Sequence, residues 1–199
     1  FQKAISLRPR FVDAYNNLGI AYAAIGRHEQ ALSNYRRALK LQPGQPKTHY
    51  LMGILYEELR EFYDALAHYE NAIAIQPRMS EAYNNRGTVL RELGRLDEAV
   101  KSLSDAIAIR PDYPEAHNNL GITLKYKGML EEAVINYRKA ITLRPDYASA
   151  HSNLGNTLKD QGNLDAAIES FDQAIAIDSK NLTAYSNRAY VHQQLGQFK

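Results

Sequence analysis

The chain has 199 residues, with 24 Lys and Arg against 22 Asp and Glu, a net charge of +2 and no cysteine. A balance this near neutral supplies no concentrated basic face for nucleic acid or an anionic membrane. Without cysteine there is no disulfide framework, thiolate nucleophile or cysteine metal site. At 45% hydrophobic residues, a mean hydropathy of -0.47 and no apolar run of membrane-spanning length, the composition fits a soluble helical protein; with no signal-peptide pattern, a cytoplasmic location is expected.

Phe1-Gln2-Lys3-Ala4-Ile5-Ser6-Leu7-Arg8-Pro9 has the pattern of Tyr35-Arg36-Arg37-Ala38-Leu39-Lys40-Leu41-Gln42-Pro43, so residues 1–11 read as the end of a truncated repeat. Ala14-Tyr15-Asn16-Asn17-Leu18-Gly19-Ile20-Ala21-Tyr22 then sets a pattern that returns every 34 residues. Its glycine recurs as Gly53, Gly87, Gly121 and Gly155, and Gly26 recurs as Gly94, Gly128, Gly162 and Gly196 with Arg60 in the second turn. A fixed period of this size predicts a stacked array whose units bury their apolar faces against their neighbours.

Each unit is predicted to hold two helices. The first, at Val12 to Ile25, has Ala14, Leu18, Ala21 and Ile25 on one stripe and ends at Gly26, where a left-handed backbone is tolerated. The second, at Glu29 to Leu41, has Ala31, Leu32, Tyr35, Ala38 and Leu39 inward and is stopped by Pro43. Pro77, Pro111 and Pro145 repeat that stop, while Pro46 and Pro114 open helices, where a missing N–H is harmless. The glycines at 19, 53, 87, 121 and 155 lie inside first helices, where each is unfavourable by about 1 kcal/mol relative to alanine. Close helix contact is the expected reason. Columns of small residues (Ala31, Ala65, Ala99, Ala133, Ala167) and of large ones (Tyr35, Tyr69, Leu103, Tyr137, Phe171) are expected to interlock beside them.

The order of aromatic, Leu-Gly, Tyr, Ala, aromatic, Ala and Pro, met by Tyr15, Leu18-Gly19, Tyr22, Ala31, Tyr35, Ala38 and Pro43, resembles the tetratricopeptide repeat. The resemblance covers complete units at 12–45, 46–79, 80–113, 114–147 and 148–181, with the start of a truncated repeat at 182–199. Departures are His49, His117 and His151 in the aromatic column, Arg86 and Arg188 in the leucine column, and Arg60 in the turn. The two column arginines are expected to lay their stems on the core with head groups in water, and Arg60 to strain its turn. The resemblance implies an all-α solenoid forming a right-handed superhelix, with first helices lining a concave groove. Function is then expected on the first helices.

The candidate groove residues are those read as facing away from the buried stripe: Asn16, Asn17, Tyr50, Leu51, Ile54, Glu57, Glu58, Asn84, Asn85, Arg91, Asn118, Asn119, Lys125, Tyr126, Asn153, Asn156, Lys159 and Asn187. Asn17, Asn85, Asn119, Asn153 and Asn187 form one row, broken by Leu51. A carboxamide both donates and accepts, so the row can pair with the backbone of an extended peptide whatever its side chains. It is similar to the asparagine ladder of O-linked N-acetylglucosamine transferases. The other reading is that each asparagine bonds a neighbouring repeat and fixes the angle between repeats. In the second unit Tyr50, Leu51 and Ile54 beside Glu57 and Glu58 suggest a pocket for a hydrophobic or basic side chain.

Other chemistry is weak. His49, His117 and His151 are spaced along the array and read as packing residues, and His28, His68 and His192 as isolated and solvated, so no metal site is expected. No His-Glu-x-x-His, phosphate-cradling loop or G-x-S-x-G elbow occurs, and neither catalysis nor a cofactor is expected. Asn181-Leu182-Thr183 matches a glycosylation sequon by chance. The lysine–asparagine clamp of repeats that capture chaperone tails is missing, with Asn16 and Ile20, Tyr50 and Ile54, and Glu81 and Asn85 at the relevant places. The expected function is a scaffold binding a protein or peptide segment in the groove; the alternative is the substrate-recruiting arm of a larger enzyme such as a glycosyltransferase. The helix opening the chain and the one at Leu182 to Leu195 lack repeat partners, so head-to-tail self-association is a further expectation.

Overall fold

The computed structural model describes residues 11 to 196; the expected partnerless helix at Phe1 to Leu7 lies outside them. The described residues form α-helices and no strand, gathered into two compact units divided between Arg95 and Leu96. The first unit contains α1 (Val12–Ala24), α2 (His28–Leu41), α3 (Pro46–Glu58), α4 (Phe62–Ile75) and α5 (Ser80–Glu92). The second contains α6 (Leu96–Ile109), α7 (Pro114–Tyr126), α8 (Leu130–Leu143), α9 (Ala148–Asp160), α10 (Leu164–Ile177) and α11 (Leu182–Gln194). Among the described residues no helix is long and apolar enough to cross a membrane, and no three His, Asp or Glu side chains are grouped to hold a metal.

The turns within helix pairs follow from the glycine column. Gly26 has φ 72°, its N–H donates to Ala23 O at 2.9 Å, and the Arg27 N–H donates to Tyr22 O at 2.9 Å, the paired bonds that close a helix through a left-handed residue. The same two bonds recur at Gly94, Gly128 and Gly162. Arg60 makes them too, at φ 60°, as the one non-glycine residue with positive φ among those described. A side chain there is unfavourable by about 1–2 kcal/mol, offset in part by the guanidinium lying 5.0 Å from the Phe62 ring centroid. Arg60→Gly is therefore expected to raise the stability of the first unit by about 0.5–1 kcal/mol, read as a higher urea midpoint; a lower midpoint would mean that the Phe62 contact outweighs the strain.

Pairing within a unit is built on the other glycine column. A Cβ at Gly19 would sit 2.3 Å from Tyr35 Cε1; at Gly53, 2.5 Å from Tyr69; at Gly121, 2.6 Å from Tyr137; and at Gly155, 2.7 Å from Phe171. In these four pairs the aromatic ring of the second helix occupies the space that a side chain on the first helix would take, which explains glycine inside those helices. Ala31, Ala38, Ala65, Ala72, Ala133, Ala140, Ala167 and Ala174 are fully buried around these contacts. In the second unit the core runs through Leu120, Leu124, Val134, Tyr137, Leu154, Leu158, Phe171 and Val191; in the first, Leu32, Tyr35, Met52 and Leu55 form a cluster.

Two details differ from expectation, and a third supplies a local reason for one residue. The guanidinium of Arg86 lies 5.2 Å from the Tyr83 ring, and that of Arg188 lies 5.5 Å from the Tyr185 ring and pairs with Asp172. These head groups therefore stack on the aromatic one turn earlier and are not simply hydrated. His68 is not isolated: its Nδ1 is 3.0 Å from His49 Nδ1, and Tyr56 stacks on it at 5.4 Å. Asn181 accepts a hydrogen bond from Ala184 N at 3.0 Å and so caps α11, a local reason for asparagine there.

Candidate functional site

In the first unit α1, α3 and α5 touch in succession, and in the second α7, α9 and α11 do so, giving each unit a wall of first helices. Asn17, Asn85, Asn119, Asn153 and Asn187 are half-buried on these walls, as is Leu51, which packs against the core. In the first, third and fourth repeats the residue one position earlier is turned inward, whereas Ser186, before Asn187, is exposed. Asn16, Asn84 and Asn118 are 0%, 6% and 4% exposed, which corrects their reading as groove-facing. One residue is about 100° of helix rotation, enough to carry a side chain from the wall into the joint between adjacent first helices. Asn16 Oδ1 there accepts from Thr48 Oγ1 at 3.0 Å.

The first wall is knitted by a polar network. Tyr69, wholly buried, donates its hydroxyl to Glu57 Oε2 at 2.6 Å. Thr88 Oγ1 lies 3.2 Å from Glu57 Oε1, and Asn85 Nδ2 is 3.3 Å from the Tyr50 hydroxyl and 3.4 Å from that of Tyr69. Asn84 Nδ2 donates to Asn85 Oδ1 at 3.0 Å. Burial pushes the Glu57 carboxyl above its usual range, against the bonds from Tyr69 and Thr88 and the nearby Arg91 charge. Both Glu57 oxygens thus face protein groups, whereas Glu58 is exposed and Ile54 is 38% exposed. Arg91 pairs with Glu92 at 3.4 Å while its Nη1 is buried without a hydrogen-bond partner among the described residues.

In the second unit, Ile122, Lys125, Tyr126, Tyr137 and Asn153 line a cavity of about 380 Å³. Three of the predicted groove residues converge there. Tyr126 is 71% exposed and forms an open rim, while Lys125 Nζ is held 2.9 Å from Asp160 Oδ2. Asn153 Nδ2 donates to Asn118 Oδ1 at 3.0 Å, so a carboxamide lining the cavity is also tied to the neighbouring first helix. Lys159 lies 5.6 Å from the Tyr190 ring; Asn156 and Asn187 are half-buried on the same helices.

The sequence reading missed Tyr69 and Tyr137 as wall residues, having placed them only in the packing column. The available signal was tyrosine where Phe171 and Leu103 show that an apolar side chain suffices, a signal that Tyr35 shares without a hydrogen bond from its hydroxyl among the described residues.

Stacked pairs of antiparallel helices define a helical-repeat protein, and the family comparison specifies which kind. A TPR repeat model matches residues 87–128, 123–162 and 155–196, and tetratricopeptide repeat models match 12–45, 46–79 and 68–101. The chain belongs to the tetratricopeptide repeat family. Among solved structures it is similar to YrrB, described as a TPR protein with an unusual peptide-binding site, at 26% identity and TM-score 0.73 over 95% of this chain and 97% of that one. It is similar in fold to pilF of Pseudomonas aeruginosa, at 23% identity and TM-score 0.84 over 94% and 85%, and to a chain of the APC/C hetero-tetramer Cut9-Hcn1, at 19% and 0.85 over 96% and 38%. No curated protein sequence matches the chain.

Proposed function

We propose that the chain is a scaffold without catalytic chemistry that holds an extended peptide or protein segment against its first-helix walls. The observation that carries this reading is the cavity of about 380 Å³ on the second wall, where an apolar side chain, an exposed aromatic rim, a lysine and a carboxamide meet. An apolar pocket with a few convergent polar groups is what a ligand site requires. YrrB, whose fold it shares, has a peptide-binding site. In this role Ile122 and Tyr126 cover an apolar ligand side chain, Asn153 pairs with the ligand backbone, and Lys125 orients a neighbouring acceptor.

Selecting a random displayed peptide library against the full chain tests this. Enriched peptides are expected to lose at least about tenfold in affinity, or ~1.4 kcal/mol, with Tyr126→Ala, while stability stays within about 0.5 kcal/mol because the ring is exposed. Failure to enrich any peptide, or binding indifferent to both Tyr126→Ala and Lys125→Ala, would overturn the assignment. Asn153→Ala has two expected effects, weaker binding and a stability loss of about 1–2 kcal/mol, because the buried Asn118 oxygen loses its donor. The asparagine row is thus read as serving both ligand and repeat angle.

A further inference from the structure

His49 on α3 and His68 on α4 are joined Nδ1 to Nδ1 at 3.0 Å, with ring centroids 5.3 Å apart. For nitrogens so close, that centroid separation sets the rings end to end. Each lone pair points at the other nitrogen and the two do not converge on a common point, so the contact is an N–H···N hydrogen bond and not half of a metal site. Such a bond holds a single proton between the two atoms. His49 also bonds the Pro43 carbonyl, as His117 Nε2 bonds Pro111 O at 3.3 Å and His151 Nε2 bonds Pro145 O at 3.0 Å. A carbonyl only accepts, so neutral His49 keeps its hydrogen on that side and presents a bare Nδ1, to which His68 donates. A second proton on the pair would remove the acceptor and set two cations in contact.

The adjoining residues in sequence are the groove tyrosines. Tyr50 follows His49 and Tyr69 follows His68, their rings lie 5.9 Å apart, and both hydroxyls reach Asn85. We propose that the His49–His68 bond is an acid-sensitive latch between α3 and α4, whose opening loosens the Tyr50, Tyr69, Glu57 and Asn85 wall beside it.

The surroundings favour the singly occupied form. Burial is the main cause that lowers the affinity of both imidazoles for a proton and brings His68 to about 4; His49 itself and Arg36 of α2 add to it, while Asp64, one turn earlier on α4, opposes. Tyr56 of α3 covers one face of His68. An opened histidine titrates near 6.5. The closed joint therefore binds fewer protons than the open one between about pH 6.5 and 4, so its stability is whole at neutral pH and falls as pH drops through that window. Glu57, raised above its usual value, has the opposite sign, since taking up a proton favours the closed wall.

His68→Asn isolates the latch, because Asn136 occupies the same place in the fourth repeat, where its carboxamide lies 3.2 Å from His117 Nδ1, and because Glu57 remains in both proteins. Hydrogen exchange of α3 and α4 in the full chain, corrected for intrinsic rate and referenced to α9 and α10, is compared at about pH 7 and pH 5. The opening of α3 and α4 in the parent is expected to rise about 10- to 30-fold more than in His68→Asn. Equal rises in the two proteins would overturn the proposal. Ring NMR titration of the parent decides independently, even if the variant folds poorly: midpoints below 6.5 for both histidines support the latch, and a midpoint at or above 6.5 for His68 overturns it.

Discussion

Gly121→Val is expected to lower the stability of the second unit by about 3 kcal/mol. The first added carbon would stand 2.6 Å from Cε1, 2.8 Å from Cδ1 and 3.0 Å from Cζ of Tyr137. That ring is 1% exposed and belongs to the same core as Leu103, Val134 and Leu124. Valine adds two further methyls and a stiff χ1 to the clash. Urea unfolding followed by circular dichroism at the helix band measures the effect. An unchanged midpoint would mean that the pair can separate freely, which the close packing of interiors does not allow.

Tyr69→Phe carries the second large effect, a loss of about 2 kcal/mol from the first unit. The ring keeps its seat on Gly53, so packing is preserved, and the change reports the hydroxyl alone. Without it Glu57 loses the 2.6 Å donor that compensates its burial, and its carboxyl moves further above the usual range. Tyr35→Phe is the matched control. Tyr35 sits on Gly19 in the same way, is 2% exposed, and has no hydrogen bond from its hydroxyl among the described residues. It should change stability by less than about 0.5 kcal/mol. Equal losses in the two variants would locate the effect in ring packing, and the polar wall would then be incidental.

The helix boundaries were legible because they are written in residues with few backbone options. Gly26 and its column end first helices within a residue of the expected place, and Pro43, Pro77, Pro111 and Pro145 follow second-helix ends. The glycine column pointed to close contact, and the structure supplies the aromatic ring as its cause. What periodicity could not resolve is the choice between adjacent residues at the edge of a stripe. Asn16 and Asn17 are chemically identical and one step apart, yet one is enclosed by Thr48 of the next repeat and the other stands on the wall. The His49–His68 bond was missed because its halves lie 19 residues apart on different helices. The same offset links His117 to Asn136, so reading polar residues across columns, and not only down them, would have exposed it.

The reach of these histidines also bears on how the chain responds to force. An imidazole near the start of a first helix that bonds the carbonyl of the preceding proline clasps a linker against the helix it enters, at Pro43, Pro111 and Pro145. The linkers at Pro77 and Ser179 enter helices with Tyr83 and Tyr185 in that position. Under tension, extension should begin at the two linkers entered with tyrosine in that position, and the joints clasped by histidine should yield later and more abruptly. The spacing of histidine and tyrosine down a single column would then act as a map of local stiffness, independent of the groove residues and open to change without altering them.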